Sequence, residues 1–170
     1  YELRQNKVRS VAVSLLFSFN YPKHEQIIAE ELRNAGFFVS ISTEVAPEFR
    51  EFERASTTLV NAYVTPILDE YIGRLGDKLP DDVKRFRVMQ SNGGTISASE
   101  ARSMGVNSIF SGPAGGVVGA LCVSQMSGID QIITLDMGGT STDVSLLPGD
   151  TKLTTESVVG GIPIRLPMID

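Results

Sequence analysis

The apolar positions fall into four blocks with different periods. From 8 to 17 the chain is apolar and β-rich: Val11, Val13, Leu15 and Phe17 alternate, and Ala12 and Leu16 fill the other face. Near-continuous runs of this kind suit a strand buried on both sides. Asn20, Tyr21 and Pro22 supply a turn and a helix start. Ile28, Leu32 and Ala35 follow at helical spacing, and Gly36 suits the position after a helix end. A second strand is predicted over 37–41, so the unit reads as strand, helix, strand with a parallel, right-handed crossover.

The second block is helical. Phe52, Ala55, Leu59 and Ala62 or Tyr63 share one face, and Ile67, Leu68, Tyr71, Ile72 and Leu75 resume the period after Pro66. A kink or restart is expected at that proline. The polar stretch 76–82, with Gly76 and Pro80, is the best linker candidate. The third block is rich in glycine. It predicts a short strand over 86–90, a turn at Ser91-Asn92-Gly93-Gly94, and a short helix capped by Ser97 or Ser99 and ending near Gly105. Ser111-Gly112-Pro113-Ala114-Gly115-Gly116 then opens an apolar helix that runs through Met126 and closes at Gly128. The last block reads as a β-meander. Strands over 131–137 and 142–147 flank Gly138-Gly139-Thr140, and strand patterns continue over 151–159 and 162–169.

Composition is compatible with this pattern. The 170 residues are 42% hydrophobic and 21% charged, close to globular averages, which excludes disordered and fibrous classes. Fifteen basic and twenty acidic residues give a net charge of −5. That argues against a nucleic-acid or anionic-membrane surface built on bulk charge, so Lys84, Arg85 and Arg87 read as a solvated face. The single cysteine, Cys122, excludes an intrachain disulfide and a Cys-cluster metal site, and is expected to pack as a small hydrophobe. His24 is the only histidine and is expected to be exposed. No apolar run approaches the ~20 residues of a membrane helix, and no signal peptide is visible, so the expected location is cytoplasmic. The sequence starts at Tyr1 and stops at Asp170 within a strand-like run, which reads as a piece of a longer protein.

The stretch 136–144 carries the chemistry. An apolar strand ends in Asp136, two glycines follow, Thr140, Ser141 and Thr142 add hydroxyls, and Asp143 closes the turn. Glycines let a backbone approach a ligand and adopt positive φ. Consecutive N–H groups in such a turn form an anion-binding nest. In a hairpin the two aspartates lie near each other, where one or both can hold Mg²⁺ directly or through water. Phosphate donors beside a carboxylate for the metal are the requirements of a nucleotide-triphosphate site. At 111–116, glycines and a hydroxyl sit at a helix N-terminus, where backbone N–H groups lack intrahelical partners. Two readings stay open there: an anion or substrate contact through Gly112 and Gly115, or close packing of the helix allowed by its glycines.

These stretches resemble a known family. The segment 136–144 is similar to the signature of the hydantoinase A and 5-oxoprolinase family. The segment 111–120 resembles a second family motif, and Gln90-Ser91-Asn92-Gly93-Gly94 a third. Val11 to Phe19, Glu51-Phe52-Glu53-Arg54 and Asn61-Ala62-Tyr63 also fit. The resemblance implies an α/β fold of the actin, hexokinase and heat-shock-chaperone ATPase superfamily, with a mixed sheet and a phosphate-binding hairpin at 131–147. On this reading 1–80 ends a first domain and 81–170 starts a second. It also implies ATP-dependent opening of a cyclic amide, a hydantoin or 5-oxoproline, through phosphorylation of the amide oxygen. ATP and Mg²⁺ are the implied cofactors, and a second subunit or fused domain the implied partner. Gly138, Gly139, Thr140, Ser141 and Thr142 are assigned to phosphate, Asp136 to the metal, and Asp143 to orienting water or metal. Ketone carboxylation, a small-molecule kinase and a non-catalytic nucleotide switch remain as alternatives.

Overall fold

The computed structural model describes residues 2–80, 83 and 86–170. A short helix α1, Glu2–Gln5, precedes strand β1, Ser10–Val13. Helix α2, Lys23–Asn34, leads to strand β2, Phe38–Ile41. The two strands pair in parallel, from Ser10 opposite Phe38 to Val13 opposite Ile41. Gly36 ends α2 at φ +86°, a conformation that suits a residue without Cβ.

The expected strand over 8–17 is cut short by a buried carboxylate. Glu25 is fully buried at the start of α2. It accepts hydrogen bonds from Leu15 N, Ser18 Oγ and Ser42 Oγ, each at 2.7 Å, and from Thr43 N at 3.0 Å. Drawing in Leu15 pulls the chain out of the sheet. Phe17 takes φ +57°, and Leu16 and Phe17 are exposed. The same carboxylate shifts the inner face of α2 to Glu25 and Ala29, leaving Ile28 at the rim. His24 is exposed, with its ring edge-on to Tyr21.

After α3, Ser42–Val45, the chain enters α4, Glu51–Lys78, a continuous helix of 28 residues. Pro66 lies inside it and is buried, without a restart, and Gly76 is helical rather than linker. Asp81, Asp82, Lys84 and Arg85, which complete the expected linker and basic run, lie outside the described residues. The apolar stripe predicted to be buried is exposed at Phe52 (72%), Leu59 (56%) and Tyr63 (74%). Of the predicted stripe Ala62 and Ile72 are buried, but most of the buried face is polar: Arg54, Ser56, Thr57, Thr58, Asn61 and Thr65. Each side chain finds at least one partner, although Arg54 Nε itself has none. Arg54 Nη2 donates to Leu15 O at 2.6 Å, and Asn61 Nδ2 to Ser40 Oγ at 2.8 Å.

Strands β3, Arg87–Met89, and β4, Thr95–Ser97, form an antiparallel hairpin. Ser97 caps α5, Ala98–Ala101, in a capping box with Glu100, as the sequence suggests. A 3-10 turn, Gly105–Ser108, precedes α6, Ser111–Met126. Strands β5, Ile132–Met137, and β6, Thr142–Leu147, make the next hairpin. The expected meander then becomes a nest. Strand β7, Leu153–Thr154, pairs with β10, Met168–Ile169, and brackets the β8–β9 hairpin of Ser157–Val159 and Ile162–Ile164. Gly160 and Gly161, at φ +58° and +83°, make the tight turn between β8 and β9.

The described strands form separate pairs rather than one mixed sheet. The parallel pair and β9 both contact α4 and share no ladder. Along its polar face α4 meets β9 and the 3-10 turn: Ser56 Oγ donates to Pro163 O at 2.6 Å and Arg165 N to Thr57 Oγ1 at 2.9 Å. Gly105 N donates to Thr65 Oγ1 at 3.3 Å and Val106 N to Asn61 Oδ1 at 3.1 Å. These last bonds cross the division expected near residue 80. One apolar cluster, Val45, Val106, Ile164, Leu166 and Met168, closes this junction, and a second, Val13, Ala29 and Ile41, fills the parallel unit. No described helix is long and apolar enough to cross a membrane.

Candidate functional site

The β5–β6 register places Asp136 directly opposite Asp143, with Thr134 opposite Ser145 two positions along. Cross-strand partners emerge on one face, with Cβ atoms about 4.5–5.5 Å apart. Alternation therefore puts Thr134, Asp136, Asp143 and Ser145 on one face of the hairpin. The other face carries Ile133, Leu135, Met137, Val144 and Leu146, all more than 60% exposed.

The four-residue tip, 138–141, is closed by Gly138 N donating to Ser141 O at 2.9 Å. Neither Gly138 nor Gly139 takes a left-handed φ. A Cβ on Gly139 would meet nothing within 4 Å. The turn itself does not demand these glycines, contrary to the expectation of positive φ. What they leave is a bare backbone at an exposed tip, with Thr140, Ser141 and Thr142 beside it.

The polar face looks across a cleft of about 640 Å³ to helix α6. Pro113 and Gly116 line its far wall, and a Cβ on Gly116 would stand 3.8 Å from Asp136 Oδ2. A second cavity of about 320 Å³ is also lined by Asp143 and touches Pro113 and Ser91. Gly112 and Gly115 line neither cavity. A Cβ on Gly112 would have open space, whereas one on Gly115 would contact the Met89 side chain at 3.8 Å. Ala114 N donates to Phe110 O, and Pro113 has no N–H, so only Ser111 and Gly112 offer N–H groups at this helix start. Cys122 on α6 is exposed rather than packed, because the helix buries only Ala114, Val117 and Ser124.

Asp136 and Asp143 are both exposed, and among the described residues neither forms an ion pair. Like charges directly opposite on a ladder repel. A cation between them removes that cost. The donor set is all oxygen: two carboxylates and nearby hydroxyls. No described cluster of three or more His, Cys, Asp or Glu side chains exists. Two carboxylates with phosphate and water completing the shell match the habit of Mg²⁺, which rarely takes an all-protein cage.

Two groups of functional interest escape sequence reasoning. Ser91, within a segment read as a turn, is 2% exposed and joins the β3–β4 turn to the start of α6. The polar face of α4 was visible as a stripe at 54, 57, 58, 61 and 65, but such spacing ordinarily marks the solvent side.

Residues 54–170 match the hydantoinase/oxoprolinase family, and residues 1–36 match the hydantoinase/oxoprolinase N-terminal region. The chain is 41% identical to the caprolactamase subunit alpha of Pseudomonas jessenii, over 98% of this chain and 25% of that one. It is 38% identical to the 5-oxoprolinase of Saccharomyces cerevisiae, over 96% of this chain and 13% of that one. Among solved structures, the ATP-dependent caprolactamase of Pseudomonas jessenii aligns with a TM-score of 0.82 at 39% identity, covering 99% of this chain and 25% of that one. Nucleotide-free acetone carboxylase aligns with a TM-score of 0.83 at 27% identity, with the same coverage. The chain thus spans a quarter or less of the length of these relatives.

Proposed function

The chain belongs to the hydantoinase/oxoprolinase family, and on that premise we propose that it supplies the phosphate and metal site of an ATP-dependent cyclic-amide hydrolase. The observation that carries this is the pairing of Asp136 with Asp143 beneath a Gly138–Gly139 tip whose glycines the turn does not need. The named activities of caprolactamase and 5-oxoprolinase support the substrate class, a lactam ring. The larger architecture we propose is actin-like, with 1–80 closing one domain and 81–170 opening the next, and with a second subunit or fused domain as partner. A cytoplasmic setting accompanies this reading.

Gly139 and Thr140 offer N–H groups to the β and γ phosphates, Gly138, whose own N–H closes the tip on Ser141 O, leaves the backbone beside them bare for phosphate to approach, and the Thr140, Ser141 and Thr142 hydroxyls add donors. Asp136 holds Mg²⁺, with Asp143 opposite to complete the site or orient water. The bound ion supplies positive charge to the phosphate oxygens. The amide oxygen attacks the γ phosphorus and ADP leaves. The carbonyl carbon, made electrophilic by the phosphoryl group on its oxygen, takes water, and the ring C–N bond breaks with the proton passing to nitrogen, leaving an acyl phosphate. A second water frees the phosphate. The test is the intact protein with Mg²⁺, ATP and either 5-oxoproline or caprolactam. Ring-opened amino acid should form in step with ADP, and ADP without ring opening would sink the reading.

The likeness to acetone carboxylase supports a second reading, in which the same phosphoryl chemistry activates a ketone or bicarbonate for C–C bond formation. Product carboxylate from a ketone and bicarbonate, with lactams untouched, would favour it.

A further inference from the structure

Ser91 sits where three separated stretches of chain meet. Its N–H and its hydroxyl both donate to Asn107 O, at 2.7 and 2.9 Å. The hydroxyl also accepts from Phe110 N at 3.1 Å, and the Ser91 carbonyl accepts from Ile169 N at 2.9 Å. Phe110 is the residue from which α6 starts, and no side chain of its own caps the helix. The Ser91 hydroxyl therefore sets where α6 begins.

The neighbouring turn residue locks the same contact. Gly93 has φ +82°, and a Cβ there would fall 2.9 Å from Val118 Cγ2 of α6 and 3.0 Å from Ile169 Cδ1 of β10. The turn after β3 thus packs against α6 at two levels, through Ser91 at its start and Gly93 two turns on. That helix puts Pro113 and Gly116 in the wall facing Asp136.

Resting on the function proposed above, we propose that Ser91 is a positioning residue for the nucleotide site. It acts through α6, holding the first turn at the height that shapes the cleft beside Asp136 and Asp143. Removing the hydroxyl leaves the Phe110 N–H without its acceptor, while Asn107 O keeps the Ser91 N–H. The loss is therefore local to the start of α6. A charged substrate held by a metal and oriented N–H groups is sensitive to sub-ångström shifts of the wall beside it.

The experiment compares Ser91→Ala and Ser91→Thr with wild type in the intact protein, well below the melting temperature of each. Ser91→Ala should raise the KM for Mg-ATP about tenfold, the effect of one lost buried hydrogen bond. The lactam KM should stay unchanged, and Ser91→Thr, which keeps the hydroxyl, should recover the nucleotide KM. Calorimetry with Mg-ADP gives the same comparison without turnover. A wild type that binds no Mg-nucleotide defeats the functional reading itself. A wild type that binds, beside a Ser91→Ala variant with the same KM and Kd, defeats the role of Ser91. A lowered melting temperature and lower active fraction, with KM unchanged, also defeats it, because that marks a purely structural residue.

Discussion

Gly105 and Thr65 meet backbone to backbone: a Cβ on Gly105 would lie 3.1 Å from Thr65 Cα and 3.2 Å from Thr65 N. Neither atom can move without shifting α4. Gly105→Ala is expected to destabilise the fold by about 1–3 kcal/mol, the range for overpacking a well-filled site. A urea midpoint that does not fall would show that α4 and the 3-10 turn separate freely.

The Glu25 carboxyl is subject to two opposed effects. Burial pushes its pKa up, but hydrogen bonds from Ser42, Leu15 N, Ser18 and Thr43 N together hold it below the ordinary value of 4.5. A depressed carboxyl contributes stability that is fully present above its unfolded pKa and is lost as pH falls through the folded value. Melting temperature should therefore hold above about pH 5 and drop below the ordinary carboxyl range. Glu25→Ala should flatten that acid limb and cost about 3 kcal/mol or more at neutral pH, since four donors lose their acceptor. An unchanged acid limb in the variant would assign the pH response elsewhere.

Asp136→Asn relieves the repulsion across the β5–β6 ladder. Without Mg²⁺ it should stabilise slightly, by about 0.2–1 kcal/mol. With Mg-ADP the order reverses, because only the wild type gains from the ion. Ring opening by the intact variant should fall about a hundredfold or more. Thermal melts with and without Mg-ADP check the crossing, and full activity would remove Asp136 from the metal.

Two glycines separate turn geometry from ligand contact. Gly161 sits at φ +83°, so Gly161→Ala is strained and should destabilise by about 1 kcal/mol. Gly139 has no left-handed φ and open space at its Cβ position, so Gly139→Ala should leave the melting temperature alone. It should weaken Mg-ADP binding, measured by calorimetry, by placing a methyl group where phosphate approaches the backbone. Equal effects of both variants on stability would show that Gly139 serves the turn.

The sequence made the β1–α2–β2 unit and the β5–β6 hairpin readable, because alternation and spacing suffice where one element packs on its neighbour. Asp136 and Asp143 flank a four-residue tip with paired strands on either side, so their register follows from counting. The face of α4 was not readable. Phe52, Leu59 and Tyr63 hold helical spacing yet are exposed, while Thr57, Asn61 and Thr65 turn inward to backbone groups far along the chain. Periodicity reports the apolar side of a helix, not which side is in contact. Cys122 and Met126 illustrate the same limit on α6, which is apolar all round and so gives no face to choose. Ser91 lies in a stretch with a turn signature and a family resemblance, but neither points to its role, since its partners at 107, 110 and 169 are set by tertiary packing.

The polar contact face of α4 bears on how stability depends on temperature. Exposing apolar surface on unfolding raises heat capacity, whereas exposing polar surface lowers it. Here a helix of 28 residues hides hydroxyls, an amide and a guanidinium, and keeps several of its large apolar side chains already in water. The heat-capacity increment per residue should fall below the usual ~12–15 cal/mol/K. The stability curve should be correspondingly flat, with cooling weakening the fold less than it would a conventional oily core of equal length.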